Sequence, residues 1–232
     1  MGVREAVEQV VAGGVIAIIR LSTAEDLLPV AEAIRDGGVT AIEFTLTTPG
    51  ALRGMESARA RLGRGILLGV GTVLTAEAAR ETIRAGAQFL VAPNLNSEVV
   101  RTGREADVPV IPGALTPTEI IHAWEAGASL VKLFPANAGG PRYVKDLQGP
   151  LSHIPLLPTG GLSLENIAAF IQAGAVAVGV GGEMIPADLL ARRAFREITS
   201  RARAFVEAVK AARGRSVPPA PPIKPIEGPD IR

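Results

Sequence analysis

Short apolar runs recur along the chain, each stopped by turn residues and followed by a stretch whose apolar positions return every three to four residues. That alternation marks consecutive βα units. Eight runs qualify: VIAIIR (15–20), AIEFTL (41–46), ILLGVG (66–71), QFLVAP (88–93), VPVIPG (108–113), SLVKLF (129–134), IPLLPT (154–159) and AVAVGVG (175–181). They are apolar throughout, as parallel strands covered on both faces must be. The intervening stretches carry helix signals. TAEDLLPVAEAIRDGG starts beside the capping candidates Ser22 and Thr23 and ends in a glycine pair. TPTEIIHAWEAGA opens on Thr116, with Pro117 at the first helical position and Glu119 three residues after the cap, and SLENIAAFIQAGA repeats the scheme from Ser163. Four helices close alike, at 36–38, 85–87, 126–128 and 173–175, each on a glycine with a strand directly behind it. Eight such units in succession predict a (β/α)8 TIM barrel, preceded by an extra N-terminal helix over about 3–12 and closed by a last helix over about 188–212. A doubly wound open sheet competes, but it has no place for an eighth strand. The ending GRSVPPAPPIKPIEGPDIR is too rich in proline to continue a helix or a central strand. The reading is therefore one α/β domain over 1–212 and a proline-rich tail over 213–232, either free or laid on a neighbouring subunit.

Composition then narrows the partners. Of 232 residues, 47% are hydrophobic and 20% charged, below the roughly 25% usual for soluble domains, which leaves apolar surface for an oligomer to bury. The net charge of +1, from 24 basic and 23 acidic residues mixed along the chain, gives no footprint for nucleic acid or an anionic membrane. With no cysteine there are no disulfides, thiolate metal sites or cysteine nucleophiles, and with only His122 and His153 a histidine-rich metal site is excluded. The start MGVREAVEQVVAGG lacks the apolar core of a signal peptide, and no apolar run has the roughly 18 residues of a membrane span. A cytoplasmic protein acting on a small molecule is the expectation.

In a barrel of this kind the site gathers at the C-terminal ends of the strands, so polar residues inside or ending the apolar runs are the ones to weigh. They are Arg20, Glu43 with Thr45 and Thr47, Thr72, Lys132 and Thr159. Lys132 places an ammonium in an apolar strand, where desolvation favours the neutral amine that imine chemistry needs. Lys145, Lys210 and Lys224 have no comparable setting. Glu43 is likewise an acid in an apolar strand, suited to general acid/base work. The second and sixth runs face each other across an eight-stranded barrel, so both side chains can enter one cavity. A barrel-core ion pair without catalytic work stays open as the alternative. Thr159, Gly160 and Gly161 after the seventh run, with Gly181 and Gly182 after the eighth, have the make-up of an anion cradle, although glycine turns are also common as plain structure.

The segments GGVTAIEFTLTTPGAL, GVGTVLT, AGAQFLVAPN, VIPGALTPTEI, SLVKLFPA and LPTGGLSLENI, in this order, closely resemble the 2-keto-3-deoxy-6-phosphogluconate aldolase family, which includes 4-hydroxy-2-oxoglutarate aldolases. The resemblance runs from about Gly14 to Pro186. It implies a metal-free and cofactor-free class I aldolase, a homotrimer of (β/α)8 barrels, that cleaves a 2-keto acid to pyruvate and an aldehyde. By it Lys132 corresponds to the Schiff-base lysine and Glu43 to the general acid/base, acting through a water. By it Thr72 and Pro93 correspond to residues lining the pyruvate end and Phe134 to a substrate-binding residue, while Thr159, Gly160 and Gly161 correspond to the distal or phosphate end, with Gly181 and Gly182 beside them. Two positions depart from the pattern. Where some members carry an arginine for the substrate carboxylate this chain has Thr47, and Arg20 is the candidate to replace it. Where some members place a phosphate-assisting serine this chain has Glu183, an acid that would repel a dianion unless it points away. Two other readings compete: a sugar-phosphate isomerase or epimerase in which Glu43 moves protons and Lys132 is electrostatic, and a keto-acid binding protein without turnover.

Overall fold

In the computed structural model residues 2–214 are described, so the predicted tail from 215 onward lies outside the described residues. Helix α1 (Val3–Gly13) ends where Gly14 takes a left-handed conformation (φ 73°) and hands the chain directly to β1 (Val15–Ile19). The βα alternation then runs through α2 (Leu27–Asp36), β2 (Ala41–Thr45), α3 (Ala51–Leu62), β3 (Leu67–Gly71), α4 (Ala76–Arg84), β4 (Leu90–Val91) and α5 (Ser97–Glu105). It continues with β5 (Val110–Ile111), β6 (Gly113–Ala114), α6 (Pro117–Glu125), β7 (Val131–Leu133), α7 (Gly140–Leu151), β8 (Leu156–Pro158), α8 (Ile167–Gln172), β9 (Val178–Val180), α9 (Ala187–Ala191) and α10 (Phe195–Arg213).

Every strand pairing is parallel, in one sheet ordered β5-β4-β3-β2-β1-β9 and a second ordered β6-β7-β8. The fifth predicted strand is one strand cut in two: Pro112 has no N–H to give the ladder, yet its carbonyl still accepts from Lys132 (2.9 Å). At the other seam Thr159 bridges Gly179 in parallel and the Val176 N–H donates to the Leu156 carbonyl (3.1 Å), so eight barrel positions close on themselves. The chain is a TIM-type barrel, and the open sheet is set aside by this closure.

Two apolar clusters fill it. The larger lies between the outer strand faces and the ring of helices, where Ala17, Ile19, Phe44, Met55, Val70, Phe170 and Phe205 are buried. The smaller occupies the barrel itself: Ile16, Ala41, Leu67, Phe89, Ile111, Leu130, Leu157 and Ala177 meet Val3, Ala6, Val7 and Val10 of α1. The extra helix is therefore a plug over the N-terminal mouth, which leaves only the C-terminal mouth open. Arg213 at the end of α10 secures it by donating to the carbonyls of Ala12 (2.9 Å) and Val11 (2.6 Å) at the end of α1, where a cation suits the helix dipole.

Some predicted boundaries move. α2 begins at Leu27 behind Asp26, and Ser22 and Thr23 lie in bends before it instead of capping it. α8 begins at Ile167, because Ser163 opens a turn in which its N–H donates to Asn166 Oδ1 (2.9 Å). The expected last helix is broken into α9 and α10 at Arg193, whose φ is 51° and whose guanidinium reaches Glu25 (2.7 Å) and Asp26 (3.0 Å) in the β1–α2 loop. α6 carries the expected capping box between Thr116 and Glu119, and the predicted glycine closures appear with positive φ at Gly38, Gly86, Gly127 and Gly174.

Phe89 is the largest side chain at the centre of the barrel, and Gly69 on the adjacent strand is what gives its ring room. Phe89→Ala should lose about 3–5 kcal/mol of unfolding free energy, read from urea titration of the variant against the parent chain.

Candidate active site

Parallel strands with α1 beneath them deliver their last residues to one rim, and the predicted residues lie along it, with Thr47 and Thr72 outside the two cavities that open there. Arg20 follows β1, Thr47 follows β2, Thr72 follows β3, Pro93 follows β4, Phe134 follows β7, Thr159 and Gly160 follow β8, and Gly181 and Gly182 follow β9. A cavity of about 350 Å³ opens among Arg20, Phe134, Thr159 and the two glycine pairs, with Glu183 at its wall. A second, of about 300 Å³, lies on the other side of Phe134, between Pro93 and Gly113. The Phe134 ring is thus shared by both.

Lys132 and Glu43 lie below this rim. Lys132 is 7% exposed and its Nζ stands 5.0 Å from the Phe134 ring centroid, a cation over an aromatic face. Glu43 is 2% exposed; its place exists because residue 71 is glycine, where a Cβ would overlap the carboxylate. Burial pushes the Glu43 carboxyl above the ordinary carboxylate range, and Lys132, followed by Arg20, pulls it back without offsetting the burial. That both cations act on Glu43 places the three groups in one electrostatic unit. Among the described residues Glu43 and Lys132 form no direct salt bridge. The carboxyl is thus held as an acid in reserve, within the field of the amine.

Arg20 is set by a threonine network that the sequence reading only half contained. Thr45 Oγ1 donates to the Ile19 carbonyl (3.1 Å), and Thr48 Oγ1 accepts from the Leu21 N–H (3.0 Å), so the residues on both sides of Arg20 are pinned. Thr47 Oγ1 donates to Thr45 Oγ1 (3.2 Å), which makes it part of this support on an exposed loop. Thr48 was not singled out; a polar residue three beyond Thr45, buried in a loop, shows its meaning only once the chain is folded. Thr72 takes φ 61°, a costly conformation for a β-branched residue, directly after β3. Thr159 lines the cavity but is only 5% exposed, and its buried Oγ1, packed toward Gly179, has no hydrogen-bond partner within the protein. Arg201, also not singled out, holds Glu183 from α10.

The chain is similar to known proteins in sequence and fold. Residues 7–201 match the family model described as KDPG and KHG aldolase. A 2-dehydro-3-deoxy-phosphogluconate aldolase of Treponema pallidum is 38% identical over 84% of this chain and 92% of its own length. A 2-dehydro-3-deoxy-6-phosphogalactonate aldolase of Escherichia coli is 36% identical over 84% and 96%. Among solved structures, the KDPG aldolase of Legionella pneumophila with pyruvate held as a covalent carbinolamine superposes with a TM-score of 0.80 at 30% identity, covering 86% of this chain and 97% of that one. The chain is also similar in fold, at 16% identity and a TM-score of 0.65, to a thiamine phosphate pyrophosphorylase of Pyrococcus furiosus.

The raised carboxyl has a consequence for stability. A folded-state carboxyl that holds its proton more tightly than in the unfolded chain weakens folding as pH rises through the interval between the two pKa values. Glu43→Gln, which carries no such charge, should therefore melt above the parent chain at pH 8, with the difference vanishing as the pH falls through the ordinary carboxylate range. Thermal melts of the two proteins across pH test this, and an unchanged difference at all pH values would contradict it.

Proposed function

The chain belongs to the KDPG and KHG aldolase family, and from that premise we propose that Lys132 and Glu43 cleave a 4-hydroxy-2-keto acid to pyruvate and an aldehyde at the open mouth of the barrel. The observation that carries the assignment of roles is the buried pair itself: one amine and, in its field, one carboxyl whose pKa burial raises, above the apolar cluster that fills the barrel. The substrates are 2-keto-3-deoxy-6-phosphogluconate, giving glyceraldehyde 3-phosphate, and 4-hydroxy-2-oxoglutarate, giving glyoxylate.

The steps follow from the chemistry of the groups. Arg20 pairs its guanidinium with the substrate carboxylate, helped by the Thr72 hydroxyl, and so sets the keto carbon against Lys132. The amine attacks that carbon to give a carbinolamine. Proton transfer from Glu43 lets the carbinolamine oxygen leave as water, and the cationic imine that remains is the electron sink. Glu43, now ionised, takes the proton of the C4 hydroxyl. The C3–C4 bond breaks, its electron pair enters the imine to form an enamine, and the C4 oxygen becomes the aldehyde carbonyl. The enamine takes a proton at C3 and water hydrolyses the resulting imine, which releases pyruvate and restores the amine. Pro93 and Phe134 supply the apolar wall around pyruvate. Gly160, Gly161, Gly181 and Gly182 let the distal end of the substrate approach the backbone, with Thr159 beside them in the cavity lining.

We assign this chemistry to a single domain over 1–212 in a cytoplasmic homotrimer. Support for the trimer comes from the resemblance and from Leu74, Ile121 and Leu164, large apolar side chains exposed on the isolated chain. No helix among the described residues is long and apolar enough to cross a membrane. Light scattering at micromolar concentration should give three times the 24.0 kDa chain mass, and a monomer mass would remove the trimer.

Borohydride reduction in the presence of pyruvate, followed by intact mass and peptide mapping, tests the mechanism. A single pyruvyl-derived adduct on Lys132 is expected. A folded protein without adduct would return Lys132 to a structural cation and bring forward an isomerase that works through Glu43 alone. Lys132→Ala should abolish turnover. Glu43→Gln should lower kcat by about 10²–10⁴-fold, the usual worth of a general acid/base, and a loss smaller than about tenfold would move the proton shuttle elsewhere.

A further inference from the structure

The wall of the larger cavity carries an acid that these steps do not use. Glu183 follows Gly181 and Gly182 in the turn after β9, where a carboxylate aimed inward would oppose any anionic group at the distal end of the substrate. The turn is closed from within, since the N–H groups of Met184 and Ile185 both donate to the Gly181 carbonyl (2.9 and 3.1 Å). From outside it is held by Arg201 on α10. Its Nε (2.8 Å) and Nη2 (2.6 Å) both donate to the Glu183 carbonyl, and Nη2 stands 3.5 Å from the Glu183 carboxylate. One guanidinium thus fixes the backbone of the turn and draws the acid toward α10. Gly160 and Gly161 line the same space.

We propose that Arg201 is a positioning residue for the distal half of the cavity: by holding and neutralising Glu183 it lets this wall accept a phosphate-bearing substrate end. This rests on the aldolase reading only in taking that half as the place of the aldehyde fragment. Arg201 does not line the cavity, so the compensating charge stands outside it. Its removal leaves the lysine and carboxyl chemistry as it was and changes only how an anionic tail is received.

Arg201→Gln leaves Glu183 uncompensated, and the test compares 2-keto-3-deoxy-6-phosphogluconate with 2-keto-3-deoxygluconate, the same chain without phosphate. The KM for the phosphorylated substrate should rise about five- to tenfold at low ionic strength and return toward the parent value at about 1 M salt, where the screening length is only about 3 Å. The KM for the unphosphorylated substrate and the kcat for both should hold. Glu183→Gln added to Arg201→Gln should restore the phosphorylated KM by removing the uncompensated charge, and Arg201→Lys alone should hold it near the parent value by keeping a cation beside Glu183. Equal rises for both substrates, no salt dependence or no rescue would make Arg201 a structural residue and overturn the proposal. Calorimetric titration with glycerol 3-phosphate separates this idea from the aldolase reading. Weakened binding in Arg201→Gln without any pyruvate adduct on Lys132 would keep the Arg201 role and sink the aldolase. An adduct with unchanged glycerol 3-phosphate affinity would do the reverse.

Discussion

Space inside a narrow barrel is the constraint from which the rest of this protein follows. An eight-stranded barrel is filled by its own side chains, and no channel remains. Room for a large inward group must be surrendered by a neighbour on the next strand. Here the neighbours are glycines: a Cβ at Gly69 would meet the Phe89 ring, one at Gly71 the Glu43 carboxylate, and one at Gly179 the Thr159 hydroxyl and Ile18. At Gly113 the intruding group is the backbone of Pro93 and Asn94. These exchanges set the depth of each functional group. Phe89 fills the closed half against α1, while Glu43 and Lys132 occupy the next level, far enough inside to lose water and near enough to the mouth to meet a substrate.

That depth has electrostatic consequences. Desolvation alone would neutralise the Glu43 carboxyl and leave it a poor base, and a direct ion pair with Lys132 would fix both charges and occupy the amine. The observed arrangement lies between these limits, with burial dominant and two cations opposing it from a distance. Such a carboxyl can give up its proton and take it back within one turnover. Rigidity around it comes from the rim: Thr45 and Thr48 pin both sides of Arg20, Arg193 ties the loop behind Arg20 to the α9–α10 break, and Thr72 holds an unfavourable φ immediately after β3. Strain at Thr72 is tolerated because the Val73 N–H is anchored to the Val91 carbonyl (3.1 Å).

The sequence made the barrel legible because its signals are local and repeated. Apolar runs recur eight times and closing glycines four, so an error at one unit does not alter the count. Boundaries were lost where tertiary contacts overrule local preference. Ser22 and Thr23 look like caps, yet Arg193, far along the chain, takes hold of Glu25 and Asp26 and the helix starts after them. The long C-terminal helix reads as continuous because Ala-Arg-Arg-Ala contains no breaker, and the break comes from a left-handed Arg193. In the site, Lys132 and Glu43 were visible as charges in apolar strands. Thr48 and Arg201 were not, since each acts on backbone atoms distant in sequence and carries no pattern of its own.

The same division separates reaction from substrate choice. The amine and the carboxyl arise from strands that also build the barrel core, so altering them alters buried volume and charge together. The distal cavity wall is made of turns after β8 and β9, glycine-rich and backed by α10, where a residue such as Glu183 can be added without disturbing the interior. A charge introduced there must still be answered, because an acid facing a substrate anion costs affinity with no gain in chemistry. The answer comes from α10, which packs outside the barrel and whose own place is fixed by α2 and α8. On the proposed reading, specificity at the mouth depends on a helix that lines neither the cavity nor the Lys132–Glu43 pair.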